Sequence, residues 1–513
     1  MAEKFPTNDE ARRAGRAEEL RRRRGVFEKF KRRALREEAR GSFDDALFWH
    51  CAATTTAWTH PFDHWRDDEI ERSLARIAHA LAKSRPAQPR GDSLVIQTSY
   101  LVDGGGHTEL ILMLVEEASG FDKYVVSSEW HDSHALGPDM LASLRAPALL
   151  CPQDLTPSQK VLWVYERLVE IAPASIILST APNDVVSVTA CAMYRERSGA
   201  QVIYYDQAET FFWCGAAFSD RLLEWRRSGA LIATRLRGTD GDAIRLVPFF
   251  SRERNSAPVS RAELGVPDGA TLSISVGNYP KFMPDGYFDY AATVGRLMDE
   301  HPTHYHIIVG HGPRGDELKG RLKSERVLWL GKRTDVDALL AASDFVIESF
   351  PLMGGLFRLD AMKAGRVLVA VSHPAWPAAY DTDAFAEDYP FVAASNEQVL
   401  EHCRALIADE SLRRAAGESL RARYEATFTR DRFSSALNGA LQGGGEVIEL
   451  GREPLEYDGE WFAMLVNSEP VDERRALRMV EELLGCTPTP TPAERLSGLA
   501  RRARESVRHR IGS

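Results

Sequence analysis

The segment 348–365, ESFPLMGGLFRLDAMKAG, contains the strongest structural signal in the chain. A short apolar strand is predicted at 344–348, and Gly354 and Gly355 then open a helix predicted at 356–364. The first turn of such a helix has backbone N–H groups without intrahelical partners, which suit an anion such as a diphosphate. The segment therefore predicts a strand, a glycine loop and a helix that together form an anion site.

The same alternation of strand and helix extends outward from this segment. Between 256 and 440, strands are predicted at 271–276, 304–309, 327–330, 344–348 and 367–371, and helices at 287–300, 335–342, 356–364 and 411–428. Between 93 and 255, strands are predicted at 94–97, 123–127, 175–178 and 201–205, and helices at 109–117 and 158–171. This order is typical of parallel, doubly wound sheets, whose ligands bind at the carboxyl ends of the strands.

The two flanks differ from this pattern. Residues 1–92 predict an all-helical N-terminal region, followed by a proline-containing linker at 84–91 that no helix can cross. Residues 441–513 predict a helical tail with a helix at 472–484, a stiff Thr-Pro spacer at 487–492 and a basic amphipathic helix. The predicted fold class is therefore α/β, with two doubly wound Rossmann-like domains between two helical flanks.

Composition excludes several classes of protein. The 513 residues are 44% hydrophobic and 27% charged, which excludes a disordered chain, and no apolar run is long enough to span a membrane. The N-terminus lacks a secretory signal, so a cytoplasmic protein without an integral membrane segment is expected. The net charge of −10 argues against a nucleic-acid partner, although residues 1–40 are basic. Six cysteines without metal-site spacing predict reduced, buried thiols.

The run DGGGHTE at 103–109 is the first candidate site. Its glycines, including Gly105 and Gly106, let the backbone approach a ligand closely, and a tight turn without a ligand is the alternative. His107 is the first candidate for a catalytic base, because an ordinary imidazole pKa of about 6.5 suits proton transfer at neutral pH. A structural histidine remains the alternative.

Polar residues also follow predicted strands elsewhere. Asp206 and Glu209 come after the strand at 201–205, where a role on the acceptor side and helix capping are both open. Lys281 follows the strand at 271–276 and suits a phosphate oxygen as a point charge, unless it is simply exposed. Asp360, about one turn into the helix at 356–364, is placed either to accept hydrogen bonds from ribose hydroxyls or to be solvated.

Taken together, these segments resemble the GT-B fold glycosyltransferases. Within that fold they are most similar to the O-GlcNAc-transferase-like and bacterial protein-glucosyltransferase-like group. The resemblance covers roughly 94–435 and is carried by GGGH at 104–107, NYPK at 278–281, WLGKRTD at 329–335 and the block 348–365.

This resemblance implies roles for individual residues. Lys281 would hold the diphosphate of a nucleotide sugar, and Asp360 would bind its ribose. The backbone N–H groups of three residues would also donate hydrogen bonds to the diphosphate: Gly354, Gly355 and Leu356. The segment 331–335, which includes Lys332 and Arg333, would lie beside the base.

The chain also departs from its relatives. GLF at 355–357 replaces a His-Thr-Thr run, and QAET at 207–210 lacks the imidazoles of a His-Ala-Asp-His-like run. These losses leave open a non-catalytic GT-B relative that binds a nucleotide sugar or a partner protein. Leu352 and Asp360 stand where retaining enzymes have Glu-x7-Glu, which favours inversion.

The sequence therefore predicts an inverting glycosyltransferase that takes a nucleotide sugar, UDP-linked by expectation, as its co-substrate. No metal and no cofactor are expected, because Lys281 and the helix N-terminus supply positive charge. A protein side chain is the favoured acceptor, since helical N-terminal regions often dock polypeptides, and a glycan or a small metabolite is the alternative. A different two-domain enzyme, such as a sugar-nucleotide epimerase, is also open.

Overall fold

The computed structural model describes residues 9–82, 88–102, 105–129, 138–254, 256–312, 314–376, 384–385, 388–450, 455, 457–466 and 469–489. Four features of the sequence lie wholly or partly outside these residues. They are the first part of the glycine run, at 103–104, the first half of the proline linker, the end of the Thr-Pro spacer, and the basic amphipathic helix of the tail.

The N-terminal region is helical, as predicted. It consists of α1 (Asp9–Ala39), α2 (Phe43–Thr59) and α3 (Asp68–Leu81). Helix α2 is buried continuously from 46 to 57, so it forms the centre of this region rather than an exposed surface. The three helices pack on one another and on the first sheet domain, which makes the region part of the globular body.

The first α/β domain contains a seven-stranded sheet of order β3-β2-β1-β4-β5-β6-β7 in which every neighbouring pair is parallel. Its strands are β1 (Arg90–Thr98), β2 (Asp122–Ser127), β3 (Ala148–Leu150), β4 (Pro173–Ser179), β5 (Gln201–Tyr205), β6 (Arg221–Glu224) and β7 (Ile244–Leu246). The intervening helices are α4 (Gly106–Glu117), α5 (Pro138–Ser143), α6 (Pro157–Ile171), α7 (Val185–Ser198) and α8 (Arg227–Leu236).

The second α/β domain contains a six-stranded parallel sheet of order β10-β9-β8-β11-β12-β13. Its strands are β8 (Thr271–Asn278), β9 (His304–His311), β10 (Val327–Gly331), β11 (Phe345–Ile347), β12 (Val367–Val371) and β13 (Val392–Ala393). Its helices are α9 (Tyr290–Glu300), α10 (Gly315–Arg321), α11 (Val336–Ala342), α12 (Gly355–Lys363), α13 (Asn396–Ala408) and α14 (Glu410–Thr427).

The parallel α/β class is confirmed, and burial explains why it could be predicted. All five residues of β12 are buried, and such continuous apolar runs are typical of strands covered by helices on both faces. Four strands were missed, β3, β6, β7 and β13. Each has only two to four residues, which is too short to give a periodic signal.

Helix α15 (Arg430–Leu441) joins the two domains. It follows α14 of the second domain but packs against α4 of the first. Arg430 pairs with Glu117 at 2.6 Å between Nε and Oε1, and Asn438 Nδ2 donates to the Glu117 carbonyl at 2.8 Å. The second domain is therefore tied back to the first by the chain that leaves it.

The tail also returns to the N-terminal region. It contains α16 (Gly459–Val466) and α17 (Glu473–Leu484). The buried guanidinium of Arg23 on α1 donates to the Ala463 carbonyl at 2.8 Å, and the Val471 N–H donates to Glu19 at 2.7 Å. Among the described residues, no helix combines the length and the apolar character needed to cross a bilayer.

A buried carboxylate fastens the N-terminal helices to the first sheet domain. Glu71 on α3 accepts hydrogen bonds from three successive backbone N–H groups of the turn after β5, those of Gly215 (3.1 Å), Ala216 (3.0 Å) and Ala217. Glu71 is 1% exposed. Without this carboxylate, several buried donors would have no acceptor.

We expect Glu71→Ala to lower the free energy of unfolding by about 3 kcal/mol, since buried N–H groups lose their acceptor and each unsatisfied buried donor costs about 1–3 kcal/mol. Urea denaturation followed by tryptophan fluorescence measures the change. Glu69→Ala, an exposed position on the same helix, is the control. Equal losses in the two variants would contradict the anchoring role.

Candidate functional site

A cleft of about 900 Å³ opens between the carboxyl ends of the two sheets. Its walls are the segments that follow β1, β5 and β6 in the first domain and β8 to β11 in the second. Ligands of doubly wound sheets bind at this edge. Ten of the twelve residues that the sequence singled out line the cleft: Gly105, Gly106, His107, Glu209, Lys281, Lys332, Arg333, Gly354, Gly355 and Leu356.

Lys281 lies directly at the N-terminus of α12. It sits in a single 3-10 turn, Tyr279–Phe282, that follows β8. Its Nζ donates to the Met353 carbonyl at 3.1 Å, and a Cβ on Gly354 would lie 3.6 Å from Nζ. An ammonium and the free N–H groups of a helix therefore converge on one point, where both favour an anion.

The surroundings of Lys281 partly disfavour its charged form. Burial lowers the pKa of Lys281, and the nearby Glu348 carboxylate opposes part of that shift. A bound anion would favour the charged form, because opposite charges close together stabilise each other.

A buried ion pair holds the start of α12 against the end of β11. Arg358 on α12 and Glu348 just after β11 are 1% and 2% exposed. They form two hydrogen bonds, Nε to Oε1 at 3.0 Å and Nη2 to Oε2 at 2.8 Å. This bidentate contact fixes the direction of the helix N-terminus relative to the sheet.

The two domains touch across the cleft at α12. A Cβ on Gly106 would lie 3.2 Å from Leu356 Cδ1, and a Cβ on Gly355 would lie 3.4 Å from the Trp225 ring. The Leu356 side chain therefore packs against the opposite domain. Only its backbone N–H contributes to the anion-binding N-terminus of α12. The contact with the opposite domain gives the apolar side chain at 356 a packing role between the domains.

Lys332 and Arg333 lie at the rim of the cleft, after β10. Both are exposed, and Arg333 pairs with Asp335 at 2.8 Å between Nε and Oδ1. This pairing raises the pKa of Arg333. The two side chains add positive charge to the same end of the cleft as Lys281.

His107, on the first turn of α4, lies on the opposite side of the cleft with both ring nitrogens engaged. Nε2 donates to the Tyr100 carbonyl at 3.1 Å and lies 2.8 Å from Thr98 Oγ1. Because a carbonyl only accepts, Nε2 carries the proton. Nδ1 therefore accepts the amide N–H of Gln207 at 2.7 Å.

Burial lowers the pKa of His107, so its imidazole is neutral at neutral pH. The Tyr100 ring stacks on it at 4.5 Å between centroids. A neutral histidine has one basic nitrogen, here Nδ1, and Gln207 occupies it. The ring can therefore take a proton once a substrate hydroxyl replaces the Gln207 amide.

Glu209 lines the cleft as part of an ion pair. Its carboxylate accepts from Nη2 of Arg226, which is 4% exposed, and its backbone carbonyl accepts from Arg237 at 2.7 Å. A base at this position would have to leave that pair. Glu209 is thus placed to orient Arg226 in the cleft wall.

Asp206 does not line the cleft, which corrects the expectation of a cleft-facing side chain. It is fully buried and lies 3.2 Å from Arg237 Nη1. It also accepts from Trp213 Nε1 at 3.0 Å and from the Ala208 N–H at 3.0 Å. These contacts leave Asp206 to brace the loop after β5. It is not a helix cap, because the next described helical turn begins at Ala216.

Asp360 is also outside the lining of the cleft. Its carboxylate accepts from Ser251 Oγ at 2.6 Å and from Arg254 Nη1 at 3.0 Å, both on the segment that links the two domains. The ribose role implied by the resemblance is therefore not supported by this placement. Here Asp360 ties α12 to the interdomain segment.

Glu224 is a buried carboxylic acid behind the first-domain wall of the cleft. It ends β6, is fully buried, and neither carboxyl oxygen has a hydrogen-bond partner among the described residues. Burial and the nearby Asp206 and Glu209 raise its pKa well above the ordinary range. Gly229 is required here, because any Cβ at that position would overlap Glu224 Oε2.

We expect Glu224→Gln to stabilise the protein above about pH 5 and to leave it nearly unchanged near pH 4. Unfolded glutamate ionises above about pH 4.3, whereas the folded protein keeps Glu224 protonated, so wild-type stability falls as pH rises. The difference should grow by up to about 1.4 kcal/mol per pH unit.

Urea denaturation between pH 4 and pH 8 measures this difference. Glu418→Gln, at an exposed position of α14, is the matched control and should show no such trend. A Glu224→Gln effect that does not change with pH would contradict a buried carboxylic acid.

Several cleft residues were not predicted as site residues from the sequence, among them Gln207, Trp225, Arg226 and Phe462. Trp225 and Arg226 directly follow β6, so recognising that four-residue strand would have indicated them. Phe462 belongs to the tail, far along the chain from the strands that form the cleft. No local sequence pattern links it to this site.

No metal centre is apparent in the part of the chain that the structure describes. There, no group of three or more His, Cys, Asp or Glu side chains could hold a metal ion. Metal independence nonetheless stays a prediction.

Known structures share this two-domain architecture. Anabaena Alr3699/HepE in complex with UDP and glucose matches with a TM-score of 0.55 and 16% identity, over 68% of this chain and 100% of that chain. A Thermobaculum terrenum O-GlcNAc transferase mutant matches with a TM-score of 0.50 and 15% identity, over 83% of this chain and 79% of that chain. The chain has the GT-B fold. The GT-B matches are of similar strength, so they do not single out the O-GlcNAc-transferase-like group.

Sequence similarity is more limited than structural similarity. No family model matches the chain. The lipopolysaccharide core biosynthesis glycosyltransferase LpsD of Rhizobium meliloti (strain 1021) is 29% identical over 153 residues, which are 28% of this chain and 43% of that relative. The chain thus matches less than half the length of this curated relative.

Proposed function

We propose that this GT-B protein is a glycosyltransferase that moves a sugar from a UDP-linked donor to an acceptor in the cleft. The observation that carries the proposal is the convergence of Lys281 and the N-terminus of α12 at the carboxyl ends of the second sheet. The glycosyltransferase relative and the UDP complexes of a similar fold support the same activity.

In this proposal the second domain stabilises the leaving diphosphate. Negative charge builds on the diphosphate as the sugar bond breaks, and preorganised donors stabilise that charge. Lys281 supplies a point charge, and the N–H groups of Gly354, Gly355 and Leu356 supply dipoles. With Lys332 and Arg333 at the rim, these groups supply positive charge without a metal ion.

His107 acts as the general base on the acceptor hydroxyl. It lines the cleft on the side opposite Lys281 and is neutral, as a base must be. The Tyr100 carbonyl holds the ring in the tautomer whose Nδ1 can accept a proton once the substrate hydroxyl replaces the Gln207 amide. A carboxylate base is less suited, because Glu209 is already paired with Arg226.

The proposed transfer inverts the anomeric configuration. Leu352 lines the cleft where retaining GT-B relatives place the first carboxylate of Glu-x7-Glu. An apolar side chain there offers no nucleophile to the sugar. A single displacement, assisted by a base on the acceptor side, is the mechanism that the lining supports.

A carbohydrate acceptor fits this chain better than a polypeptide. A polypeptide acceptor would be expected if the helical N-terminal region presented an exposed docking surface. Helix α2 is instead buried throughout its central part, from 46 to 57, and the tail packs on α1. In this proposal the acceptor is therefore a carbohydrate.

We expect UDP to bind between Lys281, the segment 331–335 and the N-terminus of α12, and to raise the melting temperature. A ligand at one hundred times its Kd stabilises by about 2.7 kcal/mol. A thermal-shift series with UDP, UDP-glucose, ADP and GDP measures this. No stabilisation by any nucleoside diphosphate or its sugars would contradict the proposed donor site.

Turnover separates an enzyme from a GT-B relative that only binds. UDP release from UDP-sugars, measured with and without a mixture of sugar acceptors, should rise when an acceptor is present. Donor binding without any UDP release would instead favour the non-catalytic alternative.

A further inference from the structure

A second cavity lies beside the cleft, also between the two domains. It has a volume of about 1380 Å³ and is bordered by the start of α8, the segment after β7, and the junction of α14 and α15. Trp225 and Arg226 line both this cavity and the cleft. We call it the arginine pocket, after its four arginines, Arg226, Arg227, Arg423 and Arg432.

The charge of the arginine pocket selects an anion. Its described lining residues include four arginines and one carboxylate, Glu446, and Arg226 is already paired with Glu209 of the cleft. Arg227 and Arg432 are exposed, and within the described part of the chain neither has an acidic partner. Guanidinium groups bind phosphate and carboxylate through two parallel hydrogen bonds, so an oxyanion is the natural ligand.

The floor of the arginine pocket indicates that this ligand carries a ring. Four aromatic side chains, Trp225, Phe385, Tyr389 and Phe428, line it and are at most 9% exposed. Ligand sites typically combine such apolar and aromatic walls with a few placed polar groups.

The shared residues connect the pocket to the reacting groups. Arg226 is 4% exposed and pairs with Glu209 in the cleft, and Trp225 packs on Gly355 at the N-terminus of α12. A ligand bound in the pocket therefore contacts the side chains that position both faces of the proposed transfer site.

We propose that the arginine pocket binds the anionic part of the acceptor, a sugar that carries a phosphate or a carboxylate. Arg227 and Arg432 hold the oxyanion, and the aromatic floor contacts the ring. The acceptor then passes Trp225 and Arg226, so that its free hydroxyl lies in the cleft. This assignment rests on the proposed function and names its substrate class.

The test compares four probes on the full chain at constant ionic strength: glucose 6-phosphate, glucuronate, glucose and inorganic phosphate. We expect both charged sugars to bind saturably and more tightly than glucose or inorganic phosphate. The two charged sugars distinguish a phosphate from a carboxylate acceptor. Binding by inorganic phosphate as tight as by the charged sugars would overturn the acceptor assignment.

Charge reversal locates the binding. R227E/R432E should weaken charged-sugar binding by roughly tenfold to a hundredfold, because it removes two charge-assisted contacts. R72E/R474E, at exposed positions outside the pocket, makes the same change in net charge and should leave binding unchanged. Equal losses in the two double variants would overturn the proposal, and R227A/R432A replaces R227E/R432E if its melting temperature drops.

UDP affinity separates this proposal from the proposed function. It should be the same in the wild type and in R227E/R432E, since neither arginine lines the cleft. A wild type that fails to bind UDP contradicts the donor site, whereas loss of charged-sugar selectivity with UDP binding intact contradicts only the arginine pocket.

Discussion

Lys281→Ala lowers the turnover number by about 10²–10³, which is the effect of removing one preorganised donor to a developing negative charge. Lys281 Nζ lies at the start of α12, where the diphosphate would leave. Its contact strengthens as the sugar bond breaks, so the loss should appear mainly in kcat. Single-turnover and steady-state UDP release measure this effect.

Two companion variants sharpen this prediction. Lys281→Arg should recover only part of the activity, because a planar fork does not replace a compact ammonium. Lys323→Ala, an exposed lysine of the same domain, is the control and should behave like the wild type. Full activity of Lys281→Ala with every donor that binds would remove Lys281 from the donor site.

The second large effect concerns His107. His107→Ala should lower kcat/KM by about 10²–10⁴, the usual contribution of a positioned general base, while UDP affinity stays unchanged. His107 faces the acceptor side and has no contact with Lys281 or with the α12 N–H groups. Turnover and UDP binding are therefore measured separately on the same preparation.

The pH dependence gives His107 a signature that loss of packing would not reproduce. Burial lowers the pKa of His107 below 6.5, so the acid limb of kcat/KM should lie below pH 6.5 in the wild type. That limb should disappear in His107→Ala. His79→Ala, an exposed histidine on α3, is the control. An unchanged acid limb in His107→Ala would assign the titration to another group.

Local patterns were enough to predict the architecture. The apolar runs within β1, β4 and β12 are continuous because helices cover both faces of a parallel sheet, and each strand shows this requirement in its own sequence. The loop and helix at 348–364 are likewise specified locally, by two glycines that follow a buried strand. The placement of His107, Lys281 and the α12 N-terminus at the cleft follows, because carboxyl ends of parallel strands share one edge.

The partners of each side chain were decided only by the tertiary structure. Asp206 and Asp360 are carboxylates placed after or near strand ends, where a site residue is expected. In the structure, however, Asp206 pairs with Arg237, and Asp360 accepts hydrogen bonds from Ser251 and Arg254. Trp225 and Arg226 enter the cleft from a strand of four residues, and Phe462 enters from the tail. A charged group is free or engaged according to neighbours that lie far away in the chain, and burial makes each such pairing strongly favourable or strongly unfavourable. Sequence periodicity indicates which face of a helix or strand is apolar. It does not indicate which distant side chain packs on that face.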